Sequence, residues 1–343
     1  MRVAVTGGTG YVGAQSVAAL RRDGHQVRLL VHPAEAMRPL SSYGVDPSGI
    51  EVVEGDVADP TAVAELLDGA DGLLHMAGIV AVDDRREADM WRVNVEATKL
   101  LATAAAERGV DPIVQVSSYA ALFPSATGVI GPDTPPAAGR SAYGRTKSAA
   151  DRFLRGLQDD GVPVVVIYPP GIVGPALGDR PGIAAEGWAP LLRHRTTVTV
   201  RGIMPMLDVR DVADLHAAVM RPGGGPRRLP CGGQVLTFDE VLDALESATG
   251  RSFRRVRIGP RTFRGMGRAF DAAARVLPLP PSFSYEAAWL LTQGQHVDDS
   301  AALAALGRPW RDVRAGLVEA VRGAVRAATP TPTPAATHDR SHR

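Results

Sequence analysis

The sequence predicts an α/β fold built on a doubly wound parallel sheet, and three observations carry that prediction. Short β-branched runs alternate with helical patterns through the first two-thirds of the 343 residues. Most of the runs are apolar without two-residue alternation, as strands buried on both faces must be. Glycines fall where successive helices should end, at Gly24, Gly69, Gly109 and Gly161, each free to take the left-handed conformation of a helix C-terminus.

In chain order the strands are Val3–Thr6, Gln26–Val31, Glu51–Glu54, Gly72–His75, Ile113–Val116 and Val164–Ile167. The helices between them are Val12–Arg22, Thr61–Leu67, Met90–Arg108 and Ser141–Gln158. This alternation requires right-handed crossovers and helices on both faces of the sheet. Beyond Gly174 the pattern loosens into a helix at Ile183–His194, a strand at Thr197–Val200 and a strand-helix unit at Met206–Met220. The turn Pro222–Pro226 precedes a strand Arg227–Cys231, a helix Phe238–Thr249, a strand Phe253–Ile258 and further helices to about Val325. The reading is a cofactor-binding domain over 1–174, with the chain returning to it at about 203–222. A smaller C-terminal substrate-binding lobe takes 175–202 and 223–326. The Thr-Pro stretch and charged end at 327–343 form a disordered tail.

Composition narrows the function. A net charge of +1 gives nucleic acid no electrostatic handle. Cys231 is the sole cysteine, so no internal disulfide forms. The most apolar run, Val162–Val173, is interrupted by Pro163, Pro169 and Pro170, and offers no stable membrane insertion. No leader pattern opens the chain, and cytoplasm is the expected compartment. His32, His75, His194 and His216 lack metal-ligand spacing, and no metal site is predicted.

The first strand runs into a glycine loop with Gly7, Gly10 and Gly13 spaced by three, with Tyr11 and Val12 opening the helix. A first glycine permits the tight turn, a second lets a pyrophosphate approach the backbone, and a third lets helix and strand pack closely. This is the signature of a Rossmann-type dinucleotide site. The second strand ends at Val31-His32-Pro33 with no carboxylate for a ribose 2′-hydroxyl, and Arg38 follows. That favours NADP(H) and leaves NAD(H) open.

Tyr143 and Lys147 stand four residues apart on one helix face, and Ser117-Ser118 ends the fifth strand. A phenol with a pKa of about 10 becomes a usable acid/base beside an ammonium. Lys99 and Lys147 are the only lysines among 38 basic residues. A lysine kept at 147 therefore points to a need for a compact point charge.

On these motifs the chain resembles the extended short-chain dehydrogenase/reductases over roughly residues 1–325. The resemblance rests also on Gly55-Asp56-Val57, on His75-Met76-Ala77-Gly78, and on Asn94 in Asn-Val-Glu-Ala-Thr. The segment Tyr168-Pro169-Pro-Gly-Ile172-Val-Gly-Pro175 and the run Leu207–Ala213 complete it. It implies that Asp56 and Val57 meet the adenine. Met76, Ala77 and Gly78 line the cofactor, as do Pro169 and Ile172 near the nicotinamide and His32 near the ribose. It further implies that Asn94, Ser118, Tyr143 and Lys147 form the catalytic set, and that a homodimer through the helices bearing Asn94 and Tyr143 is open.

No acidic pair follows Ser118, where Tyr119-Ala120 stands, so dehydratase chemistry lacks its acids. The expectation is carbonyl/alcohol interconversion on a small apolar substrate, with Tyr143 as acid/base. Sugar-nucleotide epimerisation and a non-catalytic NADP(H)-binding sensor are the alternatives. Trp188, Met204, Met206, Phe263, Phe270 and Trp289 lie in the variable lobe where a substrate pocket would form, and each taken alone is expected to be a core residue. The amphipathic stretch Arg261–Leu277 is either a lid that touches membrane or a helix packed on its own lobe.

Overall fold

The computed structural model describes residues 1–80, 86–180, 182, 196–274 and 284–328. Seven strands form the main sheet: β1 (Arg2–Thr6), β2 (Gln26–Val31), β3 (Ile50–Glu54), β4 (Gly72–His75), β5 (Ile113–Val116), β6 (Val164–Tyr168) and β7 (Arg227–Pro230). All pairs are parallel, in the order β7-β6-β5-β4-β1-β2-β3. The order reverses between β1 and β4, the switch point where doubly wound folds bind ligands.

Apolar runs without alternation follow from burial on both sides. Val3, Val5, Leu29 and Val165 face one core, while Ala4, Leu30, Leu73 and Val166 face the other. The first core lies against the helices Tyr11–Arg22 and Val209–Val219, which pack on each other. The second lies under Pro60–Leu67, Ala97–Glu107 and Ala142–Asp159. Local chemistry fixes the helix ends. Asp59 accepts from the Thr61 amide at 3.0 Å, and Ser141 Oγ accepts from the Gly144 amide at 3.1 Å. All four glycines expected at helix ends have positive φ.

A third core gathers Met204, Met206, Leu236, Val241, Leu242, Leu245, Phe263 and Leu317. It is built around a second sheet in which Ile203–Asp208 pairs in parallel with Gly171–Val173 and antiparallel with Gln234–Thr237. Thr196–Val200 pairs with Arg254–Ile258. The helix Phe238–Thr249 has the expected bounds, set by a reciprocal Thr237–Glu240 capping box.

Three expectations change. The single helix Met90–Arg108 is divided into Glu87–Trp91, a π-helical turn Arg92–Glu96 and Ala97–Glu107. The C-terminal helix Val313–Ala328 runs past the start of the expected tail. Short strands absent from the sequence reading occur at Gly171–Val173 and Gln234–Thr237. The helix expected at 183–194 and the tail from 329 lie outside the described residues. No helix among the described residues is long and apolar enough to cross a membrane.

Candidate active site

The C-terminal ends of β1, β4, β5 and β6 converge on one edge of the sheet. Gly7 turns the chain out of β1 with φ of 73°. A Cβ there would lie 2.6 Å from the Ala77 amide nitrogen, and one at Gly13 would run into the Gly7 carbonyl oxygen. Gly10 is different: a Cβ would meet only the Gly7 oxygen, at 3.2 Å, leaving its other side open. Gly10 is the N-cap of Tyr11–Arg22, and no side chain caps that end. The first amides of the helix, around Tyr11 and Val12, therefore face outward over bare backbone. That arrangement suits an anionic pyrophosphate.

At the end of β4, Met76 and Ala77 are tied back to β1. The Met76 amide donates to Thr6 O at 3.2 Å, and the Ala77 amide to Thr6 Oγ1 at 3.2 Å. His75 spans from Thr6 Oγ1 at 2.6 Å to Thr98 Oγ1 at 3.1 Å. Thr98 Oγ1 in turn donates to the Asn94 carbonyl at 3.0 Å. Burial and the nearby Lys147 push His75 down to about 3, so the imidazole is neutral in this chain.

Asn94 sits in the π-helical turn, a backbone form common at functional sites. Its Oδ1 accepts from the Ile79 amide at 2.8 Å, while Nδ2 donates to Ile79 O at 2.9 Å and Thr146 Oγ1 at 3.2 Å. Asn94 thus clamps the segment after β4 to the helix that bears Tyr143 and Lys147. Gly78 presents bare backbone there: a Cβ would lie 3.2 Å from Asn94 Oδ1 and 3.5 Å from Lys147 Nζ.

Lys147 is buried, its Nζ donating to Val116 O at 3.3 Å and lying 5.9 Å from the Tyr143 ring centroid. Burial pushes it down to about 8. Desolvation raises the half-buried Tyr143 phenol above its ordinary value, and a side-chain hydrogen bond with Ser118 works against that rise. Ser118 caps the short 3-10 turn Tyr119–Ala121, while the neighbouring Ser117 amide donates to Ile167 O at 2.8 Å and its side chain is buried. The structure therefore brings Ser118, Tyr143, Lys147 and Asn94 into one cluster.

The outer residues are more varied. Asp56 accepts from Arg92 Nη1 at 2.9 Å on both oxygens and lies 3.8 Å from His32 Nε2. Val57 packs at the rim of the second core. Pro169 O accepts from the Tyr119 amide at 2.9 Å, and Ile172 lies in the strand beside Leu207. Arg38 is paired with Asp179 and lies over the Tyr43 ring at 5.0 Å. Glu35, absent from the sequence reading, accepts from Thr9 Oγ1 in the glycine loop at 2.5 Å. Its signal was a carboxylate about 20 residues beyond the glycines, displaced from the strand end into the following turn.

Several of the large side chains in the variable lobe are core, as each was expected to be when taken alone. Met204, Met206, Phe263 and Trp289 are at most 8% exposed and pack within the apolar clusters. Trp289 lies 4.6 Å from Phe123, with Arg140 over its ring at 4.3 Å. Phe270 is partly exposed, and Trp188 lies outside the described residues. The helix Pro260–Ala274 buries Phe263 and pairs Arg264 with Thr292 Oγ1 at 3.0 Å, packing on its own lobe.

The sequence model described as the NAD dependent epimerase/dehydratase family matches residues 3–232. The chain belongs to this family. Its members are enzymes of the extended short-chain dehydrogenase/reductase type, and this family member is one of them. It is 28% identical to sterol demethylase protein B of Methylococcus capsulatus, over 94% of this chain and 97% of that one. It is 32% identical to a 3-beta-hydroxysteroid dehydrogenase of Mycolicibacterium neoaurum, over 76% and 73%. Among solved structures it is similar to MoeE5 in complex with UDP-glucose and NAD. That likeness has a TM-score of 0.72 and 21% identity, covering 96% of this chain and all of the other (100%).

Proposed function

We propose that this family member interconverts a secondary alcohol and a ketone on an apolar, sterol-like substrate, using a nicotinamide dinucleotide. The observation that carries the reading is the Ser118–Tyr143–Lys147 cluster at the carboxyl edge of the sheet, with Asn94 bracing it. The dinucleotide supplies or accepts the hydride when bound. Gly7, Gly10 and Gly13 admit its pyrophosphate to the helix terminus, with Tyr11 and Val12 beside it. Asp56 and Val57 meet the adenine. Met76, Ala77, Gly78, Pro169 and Ile172 line its course.

Tyr143 Oη exchanges a proton with the substrate oxygen, and Ser118 Oγ donates to that same oxygen. Lys147, an ammonium below about pH 8, favours the phenolate electrostatically and holds the nicotinamide ribose. The preference for an apolar substrate draws on the steroid relatives and on Tyr119-Ala120, which places no acid after Ser118. A second reading, sugar-nucleotide epimerisation, draws on the likeness to MoeE5.

The two separate in one assay. Purified protein with NAD⁺ or NADP⁺ is offered 3β-hydroxysterols and UDP-glucose, and reduced cofactor and epimer are both followed. Turnover of the sterol alone is expected; turnover of the sugar nucleotide alone overturns the substrate class.

The glycine loop gives a second expectation. Gly13→Ala places a methyl into the Gly7 carbonyl, and overpacking of this kind costs about 1–3 kcal/mol. A lower melting temperature and at least about tenfold weaker NADH binding, or about 1.4 kcal/mol, are expected by fluorescence titration. Unchanged affinity would remove the loop from the cofactor site.

A further inference from the structure

Ser118 and Tyr143 stand on different elements, and their flanks are joined through side chains of the C-terminal lobe. The ring of Tyr119, the residue after Ser118, stacks on Phe123 with centroids 5.1 Å apart. Phe123 meets the Trp289 ring at 4.6 Å, and the Arg140 guanidinium lies 4.3 Å from that same ring. Arg140 immediately precedes Ser141, whose Oγ caps the helix Ala142–Asp159 that carries Tyr143. One continuous stack thus runs from the neighbour of Ser118 to the start of the Tyr143 helix, and Trp289 is its link across the lobe.

Trp289 belongs to the helix Tyr285–Gln293, and both ends of that helix hold the same two elements. At its start, Glu286 Oε1 accepts from Ser141 Oγ at 3.2 Å. Just beyond its end, the Gln295 amide donates to Tyr119 Oη at 2.8 Å. The Gln295 side chain pairs with the Ser125 backbone, Oε1 accepting from the amide at 2.7 Å and Nε2 donating to the carbonyl at 2.9 Å. Phe123 and Trp289 are 3% and 8% exposed within the second core, so the stack has little room to shift.

Two hydroxyls that serve one substrate oxygen must both come within about 2.6–3.2 Å of it. A misplacement of about 1 Å, caused far from the chemistry, can cost about 10²-fold in rate. We propose that Trp289, supported by Gln295, is a positioning residue that sets the distance between Ser118 and Tyr143. This rests on the acid/base reading of Tyr143. The lobe then acts on the chemistry itself, apart from any contact it makes with substrate.

The test uses the full chain and whichever of a 3β-hydroxysterol and UDP-glucose it turns over. Trp289→Leu keeps apolar volume and removes the ring, while Trp289→Phe keeps a ring. Trp289→Leu is expected to lower kcat about 10–10²-fold, with KM and NADH affinity within about twofold of wild type. Trp289→Phe should hold kcat within about threefold of wild type. Gln295→Ala, at a half-buried position, should lower kcat about tenfold with the same split, and it carries the test should Trp289→Leu not fold. The deciding readout is the Tyr143→Phe background. There each of the two variants should change the residual rate by less than about twofold, because no phenol remains to be positioned. A general loosening of the fold would lower the rate by the same factor in both backgrounds, and that result overturns the proposal. So does a loss carried by KM or by NADH affinity, or a folded Trp289→Leu or Gln295→Ala protein that keeps the wild-type kcat. Wild-type protein that turns over neither compound, or Tyr143→Phe protein with an unchanged rate, fails the reading of the site, and this inference falls with it.

Discussion

Tyr143→Phe is expected to lower turnover about 10²–10⁴-fold in both directions, the usual worth of a positioned acid/base. NADH affinity should stay within about twofold of wild type, because the ring and its packing survive while only the hydroxyl is lost. The pH profile carries the stronger evidence. Under the proposed mechanism alcohol oxidation needs Tyr143 as the acceptor of a proton, so its rate should rise with pH until the phenol is ionised. Ketone reduction needs the phenol form and should fall over the same range. Burial raises this phenol and the hydrogen bond with Ser118 works against that rise, while Lys147 Nζ lies 5.9 Å from its ring centroid. Lys147→Met removes that positive charge and should move the oxidation limb to higher pH. A Tyr143→Phe enzyme that keeps its rate and its pH limb would assign the proton transfer to another group.

The seven-strand sheet was legible because its strands are apolar on both faces, a property each segment carries within itself. The helix ends were legible for the same reason, since a glycine or an Asp cap acts on the next few amides. What escaped depends on partners far away in sequence. Gly171–Val173 contains too few residues to declare itself, and is a strand only because Leu207 and its neighbours lie alongside. Met204, Met206, Phe263 and Trp289 have side chains suited to either a core or a pocket, and packing assigned them to the core.

The same distinction holds within the site. Tyr143 and Lys147 were readable from helical spacing, and Ser118 from its place at a strand end. Asn94 was named through the family resemblance, but its partners Ile79 and Thr146, and the link from His75 to Thr98, were not legible, because they join the turn after β4 to two helices. Glu35 was missed for a related reason: its partners are Thr9 and Arg180, neither of which is its neighbour in sequence.

His75 and His216 should make the fold strongly sensitive to acid. Both are buried, and burial pushes each down to about 3. His216 Nδ1 is 2.8 Å from Ser16 Oγ, and its Nε2 is buried with no partner among the described residues. In the unfolded chain both titrate near an ordinary pKa of about 6.5. Between about 6.5 and 3 the unfolded chain therefore binds more protons than the folded one, and stability falls as pH falls. The slope is about 1.4 kcal/mol per pH unit for each imidazole, so the pair removes about 4–5 kcal/mol between pH 6.5 and 4.5. That is a large part of the about 5–15 kcal/mol that holds a domain together. Urea unfolding of wild type and His216→Leu at pH 7 and pH 5 isolates one of the two. The variant should lose less stability across that interval, whatever its stability at pH 7, because a leucine takes up no proton on unfolding. Carboxylates held by arginines titrate in both proteins and cancel in the comparison. Equal losses would mean that His216 titrates in the fold as it does in the unfolded chain, so that burial does not depress it.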